Sequence, residues 1–469
     1  MALTFGVAAL ARPTFDVPFA EETKARAFAA LDAAGIRTVG PRELLFDRAA
    51  AERALTEIAA AGEIDLMLIL QVTFTDATMT VEIARGAQVP LAIWALPEPR
   101  AGGRLRLNAY CGLNLAAHAL GRAGVPHGWL YADPDTTGIG DSLRALARTA
   151  ARTATLARPP VAAGVEVDHA AAERALAKLE GGKVAVVGKH PDGFDTCEFD
   201  GGLLQRLAGI EVETIQLAQL FEKARAADAG RVAAVRAAAA TGLSGLDAVD
   251  QQQLDRSFRV FCALQDVQRE TGAQGMAVRC WPEMFTEYGC AACGPMAMMN
   301  GQRVPSACEA DVNGSITQLL MQTLADEPAW MADLVDIDGR DDSAVFWHCG
   351  LAPLSMRDPE AEAQATIHTN RRMPLLHQFP LRPGRITLAR LSRSRNEVKL
   401  MIAGAEVVRA PMAFTGCSGT VRFDRPAGEV CRRIIEEGLE HHFALAYGDH
   451  RPALRGVAQR WNLPLLELA

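Results

Sequence analysis

Two adjacent histidines and several carboxylates are the residues of this chain best suited to chemistry. His441 and His442 lie side by side in "GLEHHFALAYGDH", and no other two of the ten histidines are adjacent. Glu309 and Asp311 lie in "VPSACEADVNGSI", before a predicted helix, and Asp336 lies in the apolar strand "ADLVDID". A carboxylate among apolar neighbours is costly to desolvate unless a cation or strong donors compensate. Two carboxylates and one imidazole would form an open site typical of manganese or a similar octahedral divalent ion.

Simpler interpretations exist for some of these residues. Asp311 also suits a helix N-cap, and Asp338 suits the turn that begins at Gly339. His348 ends the apolar strand of "VFWHCGLAP", where a single histidine is more often a satisfied core residue than a ligand. If the histidine pair lies on a strand, its two side chains point to opposite faces, so only one of them can face a given site.

The elements around these residues predict an α/β protein with a β-rich end. Apolar runs such as "TFGVAAL", "DLMLILQV" and "PLAIWALPE" alternate with Ala-rich helical stretches, and the pattern restarts with "KVAVVGK" and "QGMAVRCWPE". Short apolar strands separated by helices predict βαβ units and a mostly parallel sheet. Beyond about 325, strands such as "SAVFWHCG" and "RITLARLS" follow with few helices between them, which favours an antiparallel sheet or barrel. We therefore predict two Rossmann-like domains, 1–165 and 166–325, followed by a β-rich, antiparallel barrel-like domain, 326–469.

Composition excludes several classes of function. The formal net charge of −8 argues against a nucleic-acid binder and against a polybasic membrane-surface protein. The start has no basic region before its apolar residues, so we expect a cytoplasmic protein with its ten cysteines as reduced thiols. Cys290 and Cys293 form a single C-x-x-C, which we interpret as buried thiols. "TTGIGDSL" at 136–143 lacks the third glycine of a dinucleotide-binding loop, so the Rossmann-like domains are expected to be scaffold.

Several motifs together resemble a known enzyme family. The stretches "RCWPEMFTEYG", "PSACEADVNGSITQLLMQTL", "FWHCGLAP", "GRITLARLSR" and "EEGLEHHFALAYGDHRPALRGVA" are similar in type and order to the L-fucose isomerase and L-arabinose isomerase superfamily. The similarity is greatest to the shorter L-fucose isomerase-related branch, and it is densest from about 275 to 460. It implies a divalent-metal-dependent aldose–ketose isomerase acting on a free sugar, either L-fucose- or D-arabinose-like or a modified relative.

The resemblance also implies the site residues. Glu309 matches the first acidic metal ligand of the family, Asp336 the second, and His442 the histidine ligand. His441 would point elsewhere, to the substrate or to a structural partner. The metal would be Mn²⁺ or another divalent cation such as Co²⁺ or Mg²⁺. Glu309 and Asp336 would then be both ligands and acid–base groups on the two sides of the sugar, because moving a hydrogen between C1 and C2 needs a base and a cation. His348 would line the site without being an assured ligand.

Further residues are predicted to contact the substrate. Glu283 and Asp195 follow strands whose carboxyl ends face a crevice, and Gln71 ends a buried strand. The superfamily builds its site between subunits of a trimer or hexamer, so Gln71 and Trp94 would complete a neighbour's pocket. An anionic substituent could be bound by Arg279, Lys189, Arg371 or Arg372, although each is more often a surface or interface charge. Two alternatives stay open: a metal-dependent epimerase or lyase on the same scaffold, and a sugar-binding protein without catalysis.

Overall fold

The computed structural model describes residues 3–150 and 164–469. Three sheets organise the chain. The predicted alternation of apolar strands and helices produces the first two, and the strand-rich last third produces the third. No helix of the described residues is both long and apolar enough to cross a bilayer.

The first sheet has five parallel strands in the order β2-β1-β3-β4-β5. Its strands and helices are β1 (Thr4–Leu10), α1 (Val17–Ala33), β2 (Arg37–Val39), α2 (Arg48–Ala60), β3 (Leu66–Gln71), α3 (Thr78–Gly86), β4 (Leu91–Ala95), α4 (Ala109–Arg122), β5 (His127–Tyr131) and α5 (Ile139–Thr149). Strands β3 and β4 are buried along their whole length, which is why they read as continuous apolar runs. The expected continuation of α5 towards Pro159 lies outside the described residues.

The second sheet has four parallel strands in the order β7-β6-β8-β9. Its elements are α6 (His169–Leu179), β6 (Lys183–Val187), α7 (Gly201–Ala208), β7 (Glu211–Ile215), α8 (Leu217–Ala226), α9 (Ala229–Ala239), α10 (Gln251–Thr271), β8 (Gly275–Val278), α11 (Cys293–Gly301), β9 (Ser306–Ala307) and α12 (Val312–Ala325). Cys290 and Cys293 are free and buried beside α11, as the sequence led us to expect. Strand β9 has only two residues, too few for a periodic signal in the sequence.

The third sheet confirms the β-rich domain and closes on itself. Its elements are β10 (Trp330–Asp338), β11 (Ser343–His348), β12 (Gln364–Thr366), β13 (Leu376–Pro380), β14 (Gly384–Ser392), β15 (Lys399–Val408), β16 (Cys417–Phe423), α13 (Ala427–Glu437), β17 (His442–Tyr447), α14 (Arg451–Arg460) and β18 (Leu465–Glu467). Six strands pair antiparallel around a ring in the order β16-β11-β10-β17-β14-β15, and β15 pairs back to β16. Because closure removes exposed strand edges, this barrel gives a rigid frame to the residues that its strands carry.

Candidate functional site

The pairing of β10 with β17 brings the first two site residues together. In this antiparallel pair Asp333 lies directly opposite His442, at the start of β17. Directly paired side chains lie on the same face of a sheet and close to each other. Nε2 of His442 is 3.4 Å from Oδ1 of Asp333. The barrel therefore places a carboxylate and an imidazole at one point, and both side chains are buried.

Glu309 reaches the same point from the second domain. It lies in a short 3₁₀ turn, Cys308–Ala310, where Glu309 and Ala310 both have the left-handed backbone with φ of 60° and 57°. Such strained backbone in non-glycine residues is concentrated at functional sites. The Glu309 carboxylate accepts a hydrogen bond from the Trp281 indole N–H (2.9 Å) and contacts Nε2 of His441 (3.1 Å) and of His442 (3.7 Å). Burial alone would raise the pKa of Glu309, but these hydrogen bonds and the two imidazoles lower it to about 2.

Asp311 fixes the orientation of His442. The Nδ1–H of His442 donates to Oδ2 of Asp311 at 2.9 Å, so that Nε2 faces Glu309 and Asp333. Asp311 also caps α12 by accepting from the Gly314 N–H, so the N-cap interpretation from the sequence is confirmed. Its charge is balanced by Arg390, whose Nη1 and Nη2 lie 2.5 and 3.0 Å from the two carboxylate oxygens. A carboxylate that orients a histidine in this way is the usual support of a metal ligand.

The donor set suits a divalent ion. Asp333 and His348 both lie beside His442, and neither Oδ1 of Asp333 nor Nε2 of His348 has a hydrogen-bond partner among the described residues. Buried polar atoms are rarely left unpaired, so their convergence here indicates a ligand. Two donors of an octahedral ion at about 2.1 Å lie about 3 Å apart, close to the 3.4 and 3.7 Å that separate His442 Nε2 from the two carboxylates. Glu309, Asp333 and His442 would hold such an ion.

His348 lines the same cavity in a different way. It ends β11, is buried, and its Nδ1 accepts the backbone N–H of Cys349 at 2.9 Å. In a neutral ring this places the proton on Nε2, which is buried and has no hydrogen-bond partner among the described residues. His348 therefore offers an N–H donor to the cavity, which agrees with its prediction as a residue that lines the site.

The structure does not bring Asp336 to the other predicted ligands. Its carboxylate accepts from the Tyr131 hydroxyl (2.5 Å) and from Nε of Arg100 (2.5 Å). The reason is register: β17 pairs with β10 only from Trp330 to Asp333, so Asp336 lies three residues beyond the point opposite His442, about 10 Å along an ideal strand. The carboxylate that lies beside His442 belongs to the same "ADLVDID" motif but comes three residues earlier, so Asp333 occupies the place expected for Asp336.

His441 also differs from expectation. We expected it to point away from His442, but both imidazoles contact Oε2 of Glu309, and their ring centroids are 3.9 Å apart. The alternation rule fails because β17 begins only at His442, so His441 belongs to the turn that precedes the strand. The His441 ring packs edge-on against Phe194, which holds it at the wall of the cavity.

Four residues predicted to contact the substrate lie away from this point. Glu283 forms a bidentate ion pair with Arg279, at 2.6 and 2.7 Å, which uses both of its oxygens. Asp195 begins a 3₁₀ turn, and its backbone carbonyl accepts from Arg122. Neither residue lines the cavity described below.

Gln71 and Trp94 are fully buried inside the first domain. The Gln71 amide donates to Thr73 and Thr75, and the Trp94 indole donates to the carbonyl of Ala132. Because both side chains are used inside their own sheet, they do not provide the exposed surface that completing a neighbour's pocket would need. The oligomeric state stays a prediction.

A cavity opens onto the carboxylates and imidazoles, and the first domain of the same chain contributes to its wall. Its charged and aromatic lining residues are Arg12, Phe15, Phe74, Trp281, Phe285, Glu309, Asp333, Trp347, His348, His368, Arg371 and His441. Some residues that were not predicted do have a signal in the sequence: Asp333 shares a motif with Asp336, and Arg12 follows the carboxyl end of β1. Nothing local in the sequence indicated that Phe74 and Trp281 share one wall.

Comparisons with known proteins agree with the motifs. The profile of a family described as "Fucose/sulfoquinovose isomerase, N-terminal domain" matches residues 6–157. A sulfoquinovose isomerase of Priestia megaterium is 27% identical over 460 residues, which cover 97% of this chain and 96% of the relative. Sulfoquinovose isomerases of Clostridium sp. (strain MSTE9) and Alkalicoccus urumqiensis are 28% and 26% identical, over 96% and 86% of both chains. A solved ketoreductase of the tylosin polyketide synthase has a TM-score of 0.25 at 14% identity, covering 66% of this chain and 79% of that one, too low to carry an argument.

Proposed function

Because the chain belongs to the L-fucose isomerase-related family, we propose that it is a divalent-metal-dependent aldose–ketose isomerase that acts on a free sugar. The observation that carries the proposal is the position of His442 Nε2, which lies 3.7 Å from the Glu309 carboxylate and 3.4 Å from that of Asp333, while Asp311 orients the ring. Three relatives are named for sulfoquinovose, a sugar that carries a sulfonate, so this aldose is the first substrate to test.

The chain's own residues can perform the hydrogen transfer between C1 and C2. When bound, a divalent ion supplies a Lewis acid that polarises the carbonyl and holds two neighbouring sugar oxygens. Glu309 is kept ionised by His441 and Trp281, and Oδ1 of Asp333 is free of hydrogen-bond donors within the described residues. These two carboxylates are assigned the proton transfer, since a weakly acidic C–H needs a positioned base. The Nε2–H of His348 is placed to donate to a sugar oxygen.

The aromatic wall would exclude water from the reacting carbons. Trp281 packs edge-on against Phe194 at 5.1 Å, and Phe194 contacts Phe74 at 5.8 Å, so rings from two domains meet beside Glu309. Excluding water strengthens the electrostatic interactions inside a site and protects reactive intermediates from side reactions. An ene-diolate formed between C1 and C2 needs this protection.

A pair of matched variants in one strand tests the proposal. In Asp333→Asn we expect bound manganese, measured on purified protein by elemental analysis, to fall below a tenth per chain, and ketose formation to fall by at least ~100-fold. In Asp336→Asn we expect manganese to stay near one per chain, because that carboxylate pairs with Arg100 and Tyr131. If only Asp336→Asn lost manganese, Asp336 and not Asp333 would be the metal ligand. Turnover that survives complete chelation would contradict the proposed function.

A further inference from the structure

The cavity has a cationic end as well as a metal-binding end. The guanidinium carbons of Arg12 and Arg371 lie 4.8 and 5.0 Å from the centre of the Trp281 ring. The same indole donates its N–H to Glu309, so a single side chain connects the two ends. Trp281 therefore contacts both the cationic end and the metal-binding end of the cavity.

The positive charge at this end exceeds the negative charge paired with it. Arg12 forms an ion pair with Asp76 at 2.7 Å. Arg371 has no carboxylate partner within the described part of the chain, and its contacts are the faces of Trp281 and Phe285. Burial lowers the pKa of Arg12, and the nearby charge of Arg371 lowers it further, whereas Asp76 acts in the opposite sense. Both guanidinium groups line the cavity and act on each other electrostatically, and each has N–H donors for oxyanion oxygens, so this end of the cavity favours an anion.

The surroundings hold the two arginines in place. Arg371 follows Asn370, whose Oδ1 accepts from Nε of Arg104 at 2.7 Å, and Arg104 in turn donates to the carbonyl of Thr14. The loop that carries Arg371 is thereby tied to the segment that follows β1. The two arginines are therefore a fixed part of the cavity wall, to which two domains contribute.

From this geometry we infer that Arg12 and Arg371 bind an anionic group at the end of the aldose remote from its carbonyl, and that this group is a sulfonate. The inference rests on the proposed function, which places the carbonyl end at Glu309 and Asp333. A sulfonate carries one negative charge, and Arg371 is the one cation of the pair without a carboxylate in the described residues. Arg371 is then the residue that selects a sulfonated sugar over a neutral one.

Binding of three sugars to the manganese-loaded protein tests the inference. Isothermal titration calorimetry gives Kd for sulfoquinovose, glucose and glucose 6-phosphate with the wild type, Arg371→Met, Arg371→Lys and Arg372→Met. We expect the wild type to bind sulfoquinovose about 30-fold more tightly than glucose, with 10-fold as the lower limit. It should also bind sulfoquinovose more tightly than glucose 6-phosphate. The preference should fall close to one in Arg371→Met and recover in part in Arg371→Lys. Arg372→Met removes an equal charge from an exposed neighbour and should keep the preference within twofold.

The outcomes separate this inference from the proposed function. If glucose and sulfoquinovose bind equally to the wild type, if glucose 6-phosphate binds more tightly than sulfoquinovose, or if Arg371→Met keeps the preference, the inference is overturned. Ketose formation from any aldose would then still support the isomerase. If no aldose is converted but sulfoquinovose binds in an Arg371-dependent way, the proposed function fails and the sulfonate site stands. Retained manganese content in Arg371→Met shows that the variant is folded.

Discussion

Replacing Asp311 by asparagine would test how strongly the support of His442 depends on a buried charge. Asp311 and Arg390 both have fully buried side chains, and two of their atom pairs lie at 2.5 and 3.0 Å. Arg390 gains one other hydrogen bond, to the carbonyl of Thr196. In Asp311→Asn the guanidinium would lose the carboxylate that it hydrogen-bonds and keep only the weaker influence of the Glu440 charge, because the amide keeps the shape of the carboxylate but not its charge.

Breaking a buried ion pair by removing one partner costs about 3–5 kcal/mol. Asparagine is as good an N-cap as aspartate, so the cap of α12 should add little to this loss. We expect the metal-free protein to lose about 3–5 kcal/mol of unfolding free energy in urea. We also expect manganese affinity to fall about 10- to 100-fold, since the hydrogen bond that orients a metal-bound histidine is weakened.

Asp200→Asn is the matched control. Asp200 caps α7 through the Leu203 N–H in the same way, but it is exposed and has no buried arginine beside it. The unfolding free energy that Asp200→Asn loses should stay below about 0.5 kcal/mol. Arg390→Met in the Asp311→Asn background should restore part of the stability, because it removes the unpaired buried cation. A loss below about 1 kcal/mol in Asp311→Asn, with unchanged manganese affinity, would refute this reasoning.

Two further predictions concern buried positions of the same frame. Burial lowers the pKa of His377 from 6.5 to about 4, so the unfolded chain binds the proton more readily than the folded protein does. The free energy of unfolding should therefore fall by up to about 3 kcal/mol as the pH falls from 6.5 to 4. The unfolding free energy, measured in urea and plotted against pH, should have a flatter slope for His377→Asn than for the wild type. The control His169→Asn, at an exposed position, should keep the wild-type slope. Equal slopes in all three proteins would contradict the assignment to His377. In Gly314→Ala the new Cβ would lie 2.6 Å from Oδ2 of Asp311, an atom that Arg390 and His442 hold in place. We therefore expect the free energy of unfolding to fall by about 1–3 kcal/mol and manganese to bind more weakly in calorimetry. Gly301→Ala, where nothing lies within 4 Å, is the control, and equal losses in both variants would show that crowding at Asp311 is not the cause.

The sequence alone determined the fold class and predicted four of the residues that meet at the candidate site, which are Glu309, His348, His441 and His442. Runs such as "DLMLILQV" are apolar at every position because parallel strands are buried on both faces, and this local property survives without knowledge of their partners. The strands with few helices between them beyond residue 325 likewise predicted the antiparallel barrel. Glu309 and His442 could be chosen because their motifs are short, chemically unusual and similar to those of a known family.

Only the tertiary structure decided which carboxylate joins them. Asp333 and Asp336 have similar apolar neighbours in one strand, and the choice depends on where β17 begins and which residue of β10 it pairs with. Pairing register is a long-range property, since it joins residues more than a hundred positions apart. The same holds for Arg12 and Arg371, which meet at Trp281 because two domains pack together there. Residue type and local periodicity specify strands and helices, but the convergence of side chains on one point requires the packed chain.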